Sequence, residues 1–299
     1  MYTDFPGLDQ STLPFSFESL ARLIKMVLEA GKTAVEMRAQ VDISTKTGPE
    51  DLVTSADKKL SEILMGGLQK EFPHDHVLSE VHPWEEMSTS ERRWFIDPID
   101  GTKHYVAETG LWSVMAGLVD GNEPIFGIFY IPAKKLLYFG GPACGSWCWN
   151  VDGVATKLNL APIANARSVS AMLSKNDVNK NLWCQQISGI SIQTASSIGL
   201  DVHEVLQSNV DAFVHIRPTL KTWDTAAPAA VALGAGLEIG TEDTYGFTYP
   251  YDNPAHNYCT VIGRKGTVSW WQKGFMNCNP QVAMTQSTTL STPQLAVVR

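Results

Sequence analysis

The chain has 299 residues, 44% hydrophobic and 18% charged, the composition of an ordinary globular protein able to bury one large core or two smaller ones. Its 23 basic residues against 31 acidic ones leave a net charge of −8, which argues against a nucleic-acid polymer or an anionic membrane as partner. The five cysteines are odd in number and irregularly spaced, so no disulfide framework is expected, and Cys144 and Cys148 lack the second pair a zinc site would need.

The N-terminus, MYTDFPGLDQSTLPF, has no basic region followed by an apolar run, so no secretory signal is expected. No stretch reaches the ~18 apolar residues of a membrane span. A reducing cytoplasm is the expected compartment. From Ser16 to about Arg38, Leu20, Ile24, Val27, Leu28, Ala34 and Val35 recur at helical spacing, with Ser16 as N-cap. The loop TKTGPEDLVT leads to a second helix from Ser55 to about Phe72, with Leu60, Ile63, Leu64 and Leu68 on its buried face and Pro73 at its end. A short strand, His76–Val81, carries Glu80. An acidic loop, WEEMSTSE, then leads to Trp94, Phe95 and Ile96, an apolar run that finishes a buried strand.

That run stops at Asp97 and Asp100, with Pro98 between them and Gly101 and Thr102 directly after. Two carboxylates delivered into one turn gather hard oxygen ligands, which suit Mg²⁺ or Ca²⁺. Glycine lets backbone come close to a ligand, and successive turn amides can form an anion site. The plainer alternative is a strand ending in an Asp-Pro turn. Strands follow over Ser113–Val119, Ile125–Ile131 and Lys135–Phe139, the first two separated by an Asp120-Gly121-Asn122 turn. The glycine-rich GGPACGSW ends the first half, and a boundary near Asn150 divides the chain into 1–150 and 151–299. In the second half, Ser168–Leu173, Ile190–Gln193, Ala212–Ile216, Leu237–Ile239 and Cys259–Gly263 read as strands. Ile198–Gln207 and the alanine-rich Thr225–Gly234 read as helices, and Trp270 and Trp271 sit near a hydrophobic edge. The tail after Met276, rich in Ser, Thr, Gln and Pro, is expected to be loosely held. This mixture favours an α/β or α+β layered fold.

WFIDPIDGT resembles the signature turn of the inositol monophosphatase superfamily, the lithium-sensitive, Mg²⁺-dependent phosphatases. DLVTSAD, HVLSE and KTWDTAAPAA resemble its other motifs, in the same order. The resemblance implies a five-layer αβαβα sandwich in two subdomains with the active site between them. It implies two Mg²⁺ ions, one on Glu80, Asp97 and the carbonyl of Ile99, the other on Asp97, Asp100 and Asp224. A third, weakly held ion is put in doubt because Val81 stands where a second acidic residue is usual. It pairs Asp57 with Thr102 to orient the attacking water, and gives the amides of Gly101 and Thr102 to the phosphate. Each residue also has a plainer reading: Asp57 as a solvent-facing acid in the first turn of a helix, Glu80 as a loop carboxylate, Asp224 as a helix N-cap with Pro228 near the first turn.

Lys103 and the sequence after it, GTKHYVAETGLWSVMAGLVDGNEPIFGIFYIPA, resemble the 3'(2'),5'-bisphosphate nucleotidase branch. Lys103, Ser197 and Lys221 are the substrate contacts this implies. Asp201 stands where lysine is usual, which weakens the case for a doubly phosphorylated nucleotide, and Arg217–Lys221 (RPTLK) offers compensating positive charge. The expected activity is Mg²⁺-dependent hydrolysis of a small phosphorylated substrate. Inositol-1-monophosphatase and histidinol-phosphate phosphatase are the alternatives, and a non-catalytic phosphate- or metal-binding protein is the alternative of another class. Dimers are common in the resembling family, so a homodimer is one implied state.

Overall fold

Ser16 starts the first helix as its spacing predicts: its hydroxyl accepts from the Ser19 amide at 3.1 Å, satisfying a donor the helix leaves unpaired. The computed structural model describes residues 5–45, 52–82, 92–164 and 167–280. Helix α1 (Phe17–Met37) is followed by a hairpin of β1 (Ile43–Thr45) and β2 (Leu52–Thr54), and by α2 (Ser55–Glu71). Next come β3 (His76–Ser79), β4 (Arg92–Asp100), the short α3 (Thr102–Val106), β5 (Ser113–Asp120), β6 (Glu123–Ile131), β7 (Leu136–Gly141), β8 (Gly145–Asn150) and β9 (Ala155–Leu158). Strands β3 to β9 form one sheet in sequence order, antiparallel except for the β3–β4 pair.

The second half contributes β10 (Val169–Leu173), α4 (Lys175–Lys180), β11 (Ile190–Thr194), α5 (Ile198–Leu206), β12 (Ala212–His215), α6 (Thr222–Gly234), β13 (Glu238–Gly240), β14 (Thr260–Gly263) and α7 (Thr267–Cys278). Its sheet runs β11-β10-β12-β14-β13, with β10, β11 and β12 parallel. Three cores separate the layers. Helices α1 and α2 pack Leu23, Ile24, Val27, Leu60 and Leu64 against one face of the first sheet. Helices α5 and α6 lie between the sheets, with Phe95, Phe129 and Tyr138 on one side and Phe213 and Ile262 on the other. Trp183, Val268 and Trp271 cover the outer face of the second sheet. This is the expected five-layer αβαβα sandwich.

Helix α6 comes close to the first sheet because glycine lines the sheet there. A Cβ at Gly117 or Gly127 would overlap the backbone of Ala226 or Ala227. Small residues on both partners are what bring the alanine-rich helix onto the strands.

Three readings change. GGPACGSW is not an ending: it forms the β7–β8 turn, and β9 carries the first sheet past Asn150 to Leu158. Trp270 and Trp271 lie inside α7, which buries Val268 and Trp271, an i, i+3 helical pair. Pro228 is not near the first turn of α6 but buried inside that helix. The loop WEEMSTSE, the residues numbered 46–51 of TKTGPEDLVT and the tail from 281 on lie outside the described residues.

Candidate active site

Strand β4 sends alternate side chains to opposite faces. Trp94 and Ile96 enter the core under α1 and α2, and Phe95 enters the core between the sheets. Asp97, two residues beyond Phe95, shares its inward face. The register with β5 then shifts between Asp97 and Asp100, a bulge that re-aims the strand end. Asp97 accepts from the Ile99 amide at 3.1 Å and is 3% exposed. Gly101 ends the strand at φ +87, a left-handed conformation that glycine takes without steric cost. A Cβ there would lie 2.8 Å from the Cβ of Ser197, so the turn also needs glycine to fit against the second half of the chain.

Asp100 reaches across the same seam. Its carboxylate accepts from Ser113 Oγ at 2.7 Å, from the Gly199 amide at 2.8 Å and from the Ile198 amide at 3.2 Å, so it caps α5 from another element. Hydrogen bonds to a charged group are worth about 1.5–3 kcal/mol each, against an effective penalty of several kcal/mol for burying the ion. Burial still wins and holds the Asp100 carboxyl above the usual carboxylate range.

Asp57 is not the solvent-facing acid its position suggests but fully buried. Thr54 is the N-cap of α2. Asp57 Oδ2 accepts from the Thr54 amide at 2.7 Å and from Thr54 Oγ1 at 2.6 Å, closing a capping box. This bond fixes Asp57 Oδ1 toward Thr102, whose hydroxyl lies 3.4 Å away and also 3.2 Å from the Ile99 carbonyl. One hydroxyl proton is shared between the two acceptors, so the hydroxyl is held but not saturated. Asp224 is the third residue of α6 rather than its N-cap, and its carboxylate accepts from the Lys221 amide at 2.6 Å. Pro228, four residues on, removes the amide that would normally pair with the Asp224 carbonyl.

Two clefts meet at this turn and share Gly101 and Ser196. One, of about 250 Å³, is bordered by Asp100, Ser197, Asp201, His215, Arg217 and Asp224. The other, of about 220 Å³, is bordered by Glu80, Thr102, Lys103 and His104. Glu80 follows β3, its amide bound to the Ile96 carbonyl at 3.1 Å. The Ser197 hydroxyl is buried and makes no hydrogen bond among the described residues. Lys221 borders neither cleft. Sequence reasoning passed over Asp177 and His215, and met Arg217 only as the first residue of the basic stretch RPTLK; all three are treated below.

The residues present fit a hard divalent cation by chemistry: carboxylates and a main-chain carbonyl, with a buried Asp100 whose carboxyl that burial pushes up. They are not a finished cage. Among the described residues, no three His, Cys, Asp or Glu side chains converge as a ligand set. Asp100 and Asp224 are turned onto the amides of α5 and Lys221.

Asp201 does not stand as an open anion facing substrate. It is 2% exposed, and its Oδ1 accepts from Ser196 N at 2.9 Å and Ser196 Oγ at 3.1 Å, holding the loop that joins the clefts. Burial pushes its carboxyl up to about 7 from 3.8. Between those values the unfolded chain has released the proton that the folded chain keeps, so stability falls as pH rises through this window. Asp201→Asn, whose amide oxygen can still accept from Ser196, is expected to lose less melting temperature than the wild type between pH 5 and pH 8. Equal losses in metal-free thermal melts would refute it.

The inositol monophosphatase family model matches residues 10–290. The 3'(2'),5'-bisphosphate nucleotidase CysQ of Salmonella typhimurium is 29% identical over 204 residues, 67% of this chain and 79% of that protein. The inositol-1-monophosphatase of Bacillus subtilis is 25% identical over 236 residues, 75% of this chain and 86% of its own. An IMPase/NADP phosphatase solved with Mg²⁺ and phosphate shares the fold at a TM-score of 0.73 and 21% identity, over 88% of this chain and 97% of that one. With a family match along nearly its whole length, and a fold in which all four motifs meet at one seam, the chain belongs to the inositol monophosphatase family and is a phosphoric monoester hydrolase.

Proposed function

We propose that the protein is a 3'(2'),5'-bisphosphate nucleotidase that removes one phosphate from a small doubly phosphorylated nucleotide. The observation that carries the catalytic part is the buried Asp57 carboxylate, fixed by Thr54 and facing the Thr102 hydroxyl beside Asp97 and Asp100. The family is Mg²⁺-dependent. Glu80, Asp97, Asp100, Asp224 and the carbonyl of Ile99 would hold two Mg²⁺ ions. When bound, these supply charge neutralisation and polarisation of the phosphate and of a water molecule.

The chain's own groups do the rest. Asp57 and the Ile99 carbonyl together keep the Thr102 proton turned inward, so the Thr102 oxygen can accept a proton of the attacking water and set its direction. The Gly101 turn brings backbone close enough for the amides of Gly101 and Thr102 to meet phosphate oxygens.

The match to nucleotidases of the CysQ type supports the substrate choice. The Bacillus subtilis relative covers slightly more of this chain and keeps inositol 1-phosphate as the second reading. Phosphate release should be measured with adenosine 3',5'-bisphosphate, inositol 1-phosphate and histidinol phosphate at one Mg²⁺ concentration. The bisphosphate is expected to give the highest kcat/KM. A higher value for either of the others would end the nucleotidase assignment and leave the phosphatase assignment intact.

A further inference from the structure

The larger cleft is lined by more than the motif residues. Its wall includes Ser174, directly after β10, His215 at the end of β12, and Arg217 two residues further. These are the carboxyl ends of parallel strands, where open α/β sheets place ligands. Behind them lies Asp177 of α4, whose side chain is 0% exposed. Asp177 accepts from Ser174 Oγ at 2.7 Å, from the Arg217 amide at 3.2 Å and from Arg217 Nε at 2.8 Å, and sits 3.3 Å from His215 Nδ1. His215 is fixed on its other side by Thr219, at 2.8 Å from Nε2.

Arg217 is therefore held through Nε while its two terminal nitrogens make no hydrogen bond among the described residues. A guanidinium locked in this way presents a planar fork suited to bidentate contact with an oxyanion. If Arg217 served only to neutralise Asp177, the Nε and backbone contacts would suffice, and a lysine would serve as well. The rest of the wall gives the fork its sign: Asp100, Asp201 and Asp224 are acidic, and Arg217 is the one permanent cation among the described residues bordering this cleft.

We propose that Arg217, oriented by Asp177, receives the second, non-scissile phosphate of the substrate, and that this pair rather than Lys221 reads whether a phosphomonoester is singly or doubly phosphorylated. The inference rests on the nucleotidase reading above. Arg217 would be the specificity residue and Asp177 a positioning residue that acts through it. Neither would take part in breaking the P–O bond, so their removal should be felt in KM rather than kcat.

The test compares wild type, Arg217→Gln and Arg217→Lys on adenosine 3',5'-bisphosphate and on adenosine 3'-monophosphate, which keeps the scissile ester and lacks the second phosphate. Losing a charge-assisted contact should raise KM for the bisphosphate by roughly 10- to 100-fold in Arg217→Gln. The kcat on the bisphosphate and the KM for the monophosphate should stay nearly unchanged. Arg217→Lys keeps the charge without the fork and should fall between; it also carries the test if Arg217→Gln does not fold, as judged by circular dichroism. Asp177→Asn should move KM for the bisphosphate in the same direction and leave the monophosphate alone. Equal losses on both substrates, or no loss on either, would overturn the inference and leave the nucleotidase reading standing. A wild-type enzyme without preference for the bisphosphate would overturn that reading and this inference with it.

Discussion

Asp97→Asn is expected to fold and to lose nearly all phosphatase activity. Asparagine matches aspartate in size, and its amide oxygen can still accept from the Ile99 amide, which lies 3.1 Å from the aspartate oxygen. Without metal, the circular dichroism melt should therefore match the wild type. What is lost is the charge proposed to be shared between two cations. Electrostatic stabilisation by bound metal is worth several kcal/mol in a transition state, so the loss should reach about 10³-fold or more in kcat. A second readout does not depend on turnover: a ligand that binds only the folded state raises the melting temperature. Mg²⁺ should raise it in the wild type and much less in the variant. Substantial turnover of Asp97→Asn at saturating Mg²⁺ would remove Asp97 from the centre of the site.

Thr102→Ala and Asp57→Asn are each expected to lower kcat by about 10²- to 10⁴-fold, the usual scale for positioned proton-transfer groups. Because Asp57 acts by holding the Thr102 hydroxyl, the double variant should lose little more than either single one. The two singles should differ in stability. Asp57 closes the capping box on α2 through the Thr54 amide, whereas Thr102 caps nothing. Weakening a helix cap costs about 1 kcal/mol, so Asp57→Asn alone should shift the denaturant midpoint. Multiplicative losses in kcat at unchanged metal affinity would mean that the two residues work separately.

Much of this could be read before any coordinates. WFIDPIDGT showed a strand and its end because both are local: an apolar run, two acids three apart and a glycine. Ser16 and the Gly121-Asn122 turn were legible for the same reason, each deciding its own few residues. Strands β8 and β9 were not: glycine and cysteine masked the alternation of β8, which pairing with β7 enforces, and β9 is four residues long and held by β8. Helix α7 was hidden by two adjacent tryptophans, a pair that favours strand in isolation and was overridden by packing on the outer face of the second sheet. The burial of Asp57 and the capping of α5 by Asp100 depend on contacts spanning 45 and 98–99 residues. The Asp177–Arg217 pair is 40 residues apart and meets only because β10 and β12 lie side by side.

The close fit of α6 against Gly117 and Gly127 bears on how the enzyme can breathe. That helix is packed on both sheets at once, and Ser146 ties it further by donating to the Val231 carbonyl at 2.8 Å. Swinging one sheet away from the other would peel a helix off a surface with no slack, baring a row of buried alanines. The wall that α6 lends the cleft, Asp224 included, is therefore expected to keep its distance from the first sheet when substrate binds.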